Sequence, residues 1–76
     1  MAIVRGVIVM TLGQKIKNHR LNKGLTQTEY GKYFNAEKSL VCKWEKDMNK
    51  PNNKRLKIIA DELGLTVVEL LGSDNK

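Results

Sequence analysis

A chain of 76 residues with one cysteine, Cys42, and one histidine, His19, holds a single small core, with no internal disulfide and no cluster of metal-ligand type. Its net charge of +6 is unevenly placed: Lys15 to Lys57 carries twelve basic residues against Glu29, Glu37, Glu45 and Asp47, while Ile58 to Lys76 carries one lysine against four acids. A basic middle without a bulky amphipathic apolar face favours nucleic acid over a membrane surface as partner, although a lysine-rich solvated face has the same composition.

The opening MAIVRGVIVM is apolar but too short to span a bilayer, and it lacks the charged start and small-residue cleavage site of a signal peptide. A soluble protein of the cytoplasm, nucleoid-associated if its partner is DNA, is the expectation. Ile3 to Met10 is rich in β-branched residues and predicts an extended strand. A lone strand needs a partner. It would pair with the same segment of a second subunit, lie against a helical core, or form an arm that orders only on assembly; Met10 also offers an alternative start to the chain.

Thr11 and Gln14 have capping-box spacing, and Leu12, Ile16 and Leu21 follow near helical period until Gly24, which predicts a first helix. Thr26 and Glu29 form a second box, followed by the apolar stripe Tyr30, Tyr33 and Phe34, with Tyr33 a candidate for the surface instead. Asn35 tolerates the left-handed backbone and turns the chain. Leu40, Val41 and Trp44 then predict a third helix from about Glu37 to Lys46. Asp47 to Pro51 reads as a loop. Asn52 or Asn53 caps a fourth helix with Leu56, Ile59, Ala60 and Leu63 inward, closed by Gly64, and Thr66 with Glu69 caps a short fifth bearing Val67, Leu70 and Leu71.

Within EYGKYFNAEKSL, a glycine at 31 costs a helix about 1 kcal/mol against alanine, so a close neighbour should offset it. Two short helices joined at Asn35, the second bearing lysines, have the form of a helix-turn-helix unit. Its helices cross closely enough to need a small residue where Gly31 sits. Trp44, at helical spacing from Leu40 and Val41, belongs to the core. Cys42 is an inert small side chain unless Lys43 beside it makes it a redox sensor. His19 is expected to face solvent. With no nucleophile, base and acid set, no phosphate loop and no paired-carboxylate cleft, neither an enzyme nor a cofactor is expected.

Residues 11–72 resemble the phage repressor and Cro type of helix-turn-helix domain, also called the xenobiotic response element family. The resemblance rests on GLTQTE, on Gly31, on inward Tyr30, Phe34, Ala36, Val41 and Trp44, on the pair Trp44 and Glu45 followed by Pro51, and on IIADELGLTVVELL. It implies an all-α, lambda-repressor-like bundle of five helices with helix three in the DNA major groove; outside it, the residues themselves read as an N-terminal arm or strand at 1–10 and a polar tail at 73–76. Three positions depart from the family: Asn35 and Asp47 stand where glycine is usual, and Glu37 stands where serine or threonine is frequent. The first two are mild because both residues tolerate a left-handed backbone. Glu37 suits a helix start but faces phosphates poorly.

If helix three begins near Glu37, its first outer turn presents Lys38 and Ser39, with Cys42 and Lys43 one turn on; Lys38, Ser39 and Lys43 are the candidates for reading bases, as the resemblance also implies. Thr26 and Gln27, at the start of helix two, suit a phosphate, and Lys46, Asn49 and Lys50 would reach the opposite phosphate wall. The resemblance further implies an ion pair between Arg20 and Glu45, structural in role.

The leading expectation is a sequence-specific regulator binding double-stranded DNA, most simply a repressor acting as a homodimer on an inverted repeat. Its dimer contact would be the N-terminal strand or helix five, through Val67, Val68 and Leu71. The alternatives are an antitoxin-like autoregulator whose N-terminal arm holds a partner protein, and a protein-interaction module without operator binding.

Overall fold

The computed structural model describes the backbone of residues 2–4 and 7–72 and the side chains of residues 10–72. Strands β1 (Ala2–Val4) and β2 (Val7–Val9) precede helices α1 (Leu12–Asn22), α2 (Gln27–Tyr33), α3 (Lys38–Glu45), α4 (Asn53–Leu63) and α5 (Val67–Leu71). The N-terminal segment differs from the single strand expected: it folds back as an antiparallel hairpin with Ala2 opposite Val9, Ile3 opposite Ile8 and Val4 opposite Val7. The ladder that a lone strand would need from outside is thus supplied within the segment. The polar tail expected at 73–76 lies outside the described residues.

The starts of α1, α2, α4 and α5 each follow from a side chain three residues from its partner. The boxes at Thr11–Gln14, Thr26–Glu29 and Thr66–Glu69 are closed in both directions, the hydroxyl accepting from the N3 amide and the N3 side chain from the cap amide. Asn52, rather than Asn53, caps α4 by accepting the Arg55 N–H at 2.9 Å. The ends of α1 to α4 share one device, a left-handed residue followed by an amide that reaches back five positions: Gly24, Asn35, Asp47 and Gly64 have φ between 58° and 72°. The returning bonds are Leu25 N–H to Arg20 O, Ala36 N–H to Gly31 O, Met48 N–H to Lys43 O and Leu65 N–H to Ala60 O.

The core is Ile16, Tyr30, Phe34, Val41, Trp44, Leu56, Ile59, Ala60 and Leu70, so every helix contributes and Trp44 lies at its centre with 1% exposure. Tyr30, Phe34 and Trp44 form a run of aromatic contacts, the Phe34 and Trp44 rings meeting edge-on with centroids 6.0 Å apart. Two expectations of burial need correction. Leu21 and Leu63 are 52% and 38% exposed, because each lies at the solvent side of its helix's last turn. Of the two places open to Tyr33, stripe or surface, it takes the surface, with the Lys23 ammonium 5.2 Å above its ring.

His19 is the reverse case, 6% exposed where solvent was expected. Its Nε2 lies 2.9 Å from Glu62 Oε1 on α4 and its Nδ1 2.8 Å from the Tyr30 hydroxyl on α2. Since a carboxylate only accepts, Nε2 carries the proton, and in the neutral ring Tyr30 donates to Nδ1. A polar side chain on α1 is buried because both ring nitrogens are satisfied.

Candidate nucleic-acid interface

Helix α3 packs against both α1 and α2. With Val41 and Trp44 buried, the 100° step per residue turns Ser39, Cys42 and Lys46 away from the core, flanked by Lys38 and Lys43. Lys38, Ser39, Lys43 and Lys46 are exposed, as are Asn49 and Lys50 in the following loop, whereas Cys42 is half-buried. Among the described residues, none of these lysines is paired with a carboxylate. The outward side of α3 and the loop that follows it therefore gather four cations, Lys38, Lys43, Lys46 and Lys50, with no carboxylate partner among the described residues. The Glu37 side chain makes no capping hydrogen bond and is exposed at the start of this helix.

At the start of α2, the Thr26 hydroxyl accepts from Glu29 N–H at 3.1 Å and the Glu29 carboxylate takes the Thr26 N–H at 2.9 Å. The N–H groups of Gln27 and Thr28, in the first turn of α2, have no intrahelical acceptor. The Gln27 side chain turns inward, its amide donating to Glu45 Oε1 at 3.1 Å. What Gln27 offers a phosphate is thus chiefly its backbone, while Thr26 keeps its hydroxyl proton.

The pose of α3 is fixed at both ends. At its C-terminal end Arg20 holds Glu45 through Nε to Oε2 at 2.6 Å and Nη2 to Oε1 at 3.2 Å, and reaches Leu25 O through Nη1 at 3.0 Å. The pair is almost enclosed, with side chains 11% and 5% exposed. A Cβ at Gly13 would stand 2.6 Å from both the Trp44 and Glu45 carbonyl oxygens, so α1 touches the end of α3 backbone to backbone. At the N-terminal end a Cβ at Gly31 would overlap the Ala36 carbonyl oxygen and stand 3.2 Å from Val41 Cγ2, and Asn35 makes the intervening turn at φ 58°. Three contributors were not singled out from sequence: Gly13, the Asp47 carboxylate that accepts its N–H, and Arg55, which donates to the Phe34 and Asn35 carbonyls at the turn. Gly13 did leave a signal, being a glycine inside a helix of the same kind as Gly31.

Among the described residues, no three His, Cys, Asp or Glu side chains gather in a way that would hold a metal ion. No described helix is long and apolar enough to cross a membrane.

Residues 16–70 match the family model Helix-turn-helix (HTH_3). The chain is 32% identical over 65 residues to the immunity repressor protein of Bacillus phage phi105, covering 86% of this chain and 45% of that protein. It is 29% identical over 65 residues to the HTH-type transcriptional activator BcrR of Enterococcus faecalis, covering 86% of this chain and 32% of that protein. The chain thus spans less than half the length of these relatives. In structure it resembles the P22 c2 repressor, solved in complex with synthetic operator 9T in the presence of Tl+, with a TM-score of 0.71 at 22% identity, over 84% of this chain and 97% of that one.

Proposed function

The chain belongs to the helix-turn-helix family of the Cro and CI repressor type, and from that premise we propose that it is a transcriptional regulator, most simply a repressor, that lays α3 in the major groove of double-stranded DNA. The observation that carries this reading is the outward face of α3, where exposed Ser39, flanked by exposed Lys38 and Lys43, is turned away from buried Val41 and Trp44 on a helix held at both ends. Lysine donates to guanine O6 and N7, and serine donates or accepts. Thr26, the Gln27 backbone, Lys46, Asn49 and Lys50 flank that face and suit phosphates, which position a protein without reading sequence. A rigid reader helix is what base recognition requires.

The proposal extends to a homodimer on an inverted repeat, with half-sites one helical turn, about 34 Å, apart. Val68, 76% exposed on α5, is an apolar residue that a second subunit would cover. The activator among the relatives favours a second reading, in which the same face binds DNA beside a promoter and recruits rather than blocks.

The experiment is a gel shift of the purified protein on its own upstream DNA and on a scrambled duplex, across a salt series, beside a Lys38→Ala, Lys43→Ala variant. Preference for the native duplex, lost in the double variant, is the expected result. Equal binding to both duplexes by the wild type would overturn sequence reading at that locus.

A further inference from the structure

Arg55 does something that neither the capping pattern nor the basic face requires. It is the third residue of α4, its backbone placed by the Asn52 cap, and its half-buried side chain runs not to solvent but to the helix-turn-helix bend. There Nε donates to the Phe34 carbonyl at 3.0 Å and Nη2 to the Asn35 carbonyl at 3.3 Å. These carbonyls close α2, where no further turn of helix donates to them and where the helix dipole favours a cation. The same guanidinium lies over Trp44 of α3, with Cζ 5.6 Å from the ring centroid, within the range of a cation–π contact.

We propose that Arg55 is the positioning residue of the recognition unit: one planar group on α4 grips the last turn of α2 and the buried aromatic of α3, and thereby sets the angle at which α3 is presented. The claim rests on the DNA-reading function proposed above for its consequence, though not for its structural part. Asn35 supplies a left-handed turn, but a turn by itself leaves the direction of the next helix free to rock. Arg55 removes that freedom from a third helix. A lysine cannot do the same, because its ammonium lacks the planar fork that spans two carbonyls while stacking on a ring.

Amide hydrogen exchange on the free protein, compared for wild type, Arg55→Met and Arg55→Lys, tests the structural part. The amides of Ala36, Leu40 and Val41, bonded to Gly31 O and Glu37 O, should lose protection by about tenfold more in Arg55→Met than those of α1 and α5, as expected for loss of bonds from a charged donor, with Arg55→Lys between. Uniform loss across the helices would reduce Arg55 to general stability and overturn the proposal, and so would no loss at the bend. The DNA part is read by the ratio of affinities for operator and scrambled duplex. Arg55→Met should lower that ratio while leaving the salt slope unchanged, whereas a slope reduced by about one would make Arg55 a phosphate contact and overturn positioning. If the wild type itself shows no sequence preference, the DNA-reading proposal fails alone, and exchange still decides the positioning claim.

Discussion

The Asp47 carboxylate accepts the Gly13 N–H at 2.8 Å across 34 residues of chain. Asp47 sits at φ 61°, so one residue both turns the chain out of α3 and satisfies a first-turn amide of α1. Glycine, usual here in the family, supplies the turn without the carboxylate. Asp47→Asn should therefore cost least, Asp47→Gly more, and Asp47→Ala most, since alanine loses the acceptor, about 1 kcal/mol, and strains the left-handed backbone by about as much again. Urea denaturation of the three variants gives the order. A glycine variant as stable as wild type would show that the carboxylate adds nothing.

Arg20 and Glu45 call for a different comparison. Both are nearly enclosed and Glu45 also accepts from Gln27. Removing one partner leaves a buried charge, and either Arg20→Met or Glu45→Leu should destabilise by about 3–5 kcal/mol. The double variant should be markedly less destabilised than the sum, because the desolvation of both charges disappears together. A double-mutant cycle measures this, and additive losses would mean that the two side chains do not act as a pair.

The His19 network should make stability fall at both ends of the pH scale. Burial, then the Glu62 and Glu45 carboxylates, push the Tyr30 hydroxyl above its ordinary value of 10.0, with Arg20 opposing. The fold keeps that proton when the unfolded chain releases it, so this contribution is complete below pH 10 and is lost as pH rises toward the folded-state value. For Glu62, desolvation acts upward, but hydrogen bonds from Lys23 and His19 and their positive charge outweigh it and hold the carboxyl below 4.5. That contribution is present above the ordinary value and is lost as pH falls through the folded one. In a Tyr33→Phe background, tyrosinate absorbance should rise together with loss of helical circular dichroism. Ionisation that precedes unfolding would refute the burial argument. Glu62→Gln should flatten the acid limb.

Legibility in the sequence follows the separation between interacting residues. The boxes at Thr11, Thr26 and Thr66 and the left-handed turns at Gly24, Asn35 and Gly64 were readable because each depends on partners within five positions. The core was readable from helical period at Tyr30, Val41, Trp44 and Ile59, and failed at Leu21 and Leu63, where the last turn of a helix runs past its neighbours. His19, Asp47 and Arg55 find their partners 11 to 43 residues away, in positions set only once the helices have packed. The hairpin was half legible: β-branched residues announced extended chain, while its pairing within one segment left no periodic mark.

The proposed DNA contacts separate by their response to sequence and salt. Lys43→Ala should cost about 1–3 kcal/mol of binding and relax preference at one base pair. Lys50→Ala should weaken all duplexes alike and lower the salt slope by about 1. Glu37→Thr should act with the opposite sign, strengthening binding to every duplex, because an unpaired carboxylate at the start of α3 repels phosphates. A panel of operators with single base changes, titrated at several salt concentrations, distinguishes the three. Uniform weakening by Lys43→Ala would move that lysine from base to backbone.

Gly31→Ala sets helix propensity against packing. In isolation the change favours α2 by about 1 kcal/mol. Yet the new Cβ would overlap the Ala36 carbonyl oxygen, with Ala36 C and Val41 Cγ2 each at 3.2 Å. A backbone carbonyl cannot rotate aside as a side chain can, and here it is bound into a turn closed by the Ala36 N–H to Gly31 O bond at 2.9 Å. Relief requires α3 to move away from α2. The net effect should be a loss of about 1–3 kcal/mol despite the better helix former, together with a fall in operator discrimination larger than that of an equally destabilised variant elsewhere. Gly24→Ala is that control: its Cβ meets nothing within 4 Å, and the cost arises only from a φ of 71°. It should lose about 1–2 kcal/mol and bind DNA as wild type does. If Gly31→Ala instead gained stability and kept its discrimination, the close crossing of α2 and α3 would not be what holds the reader helix in place.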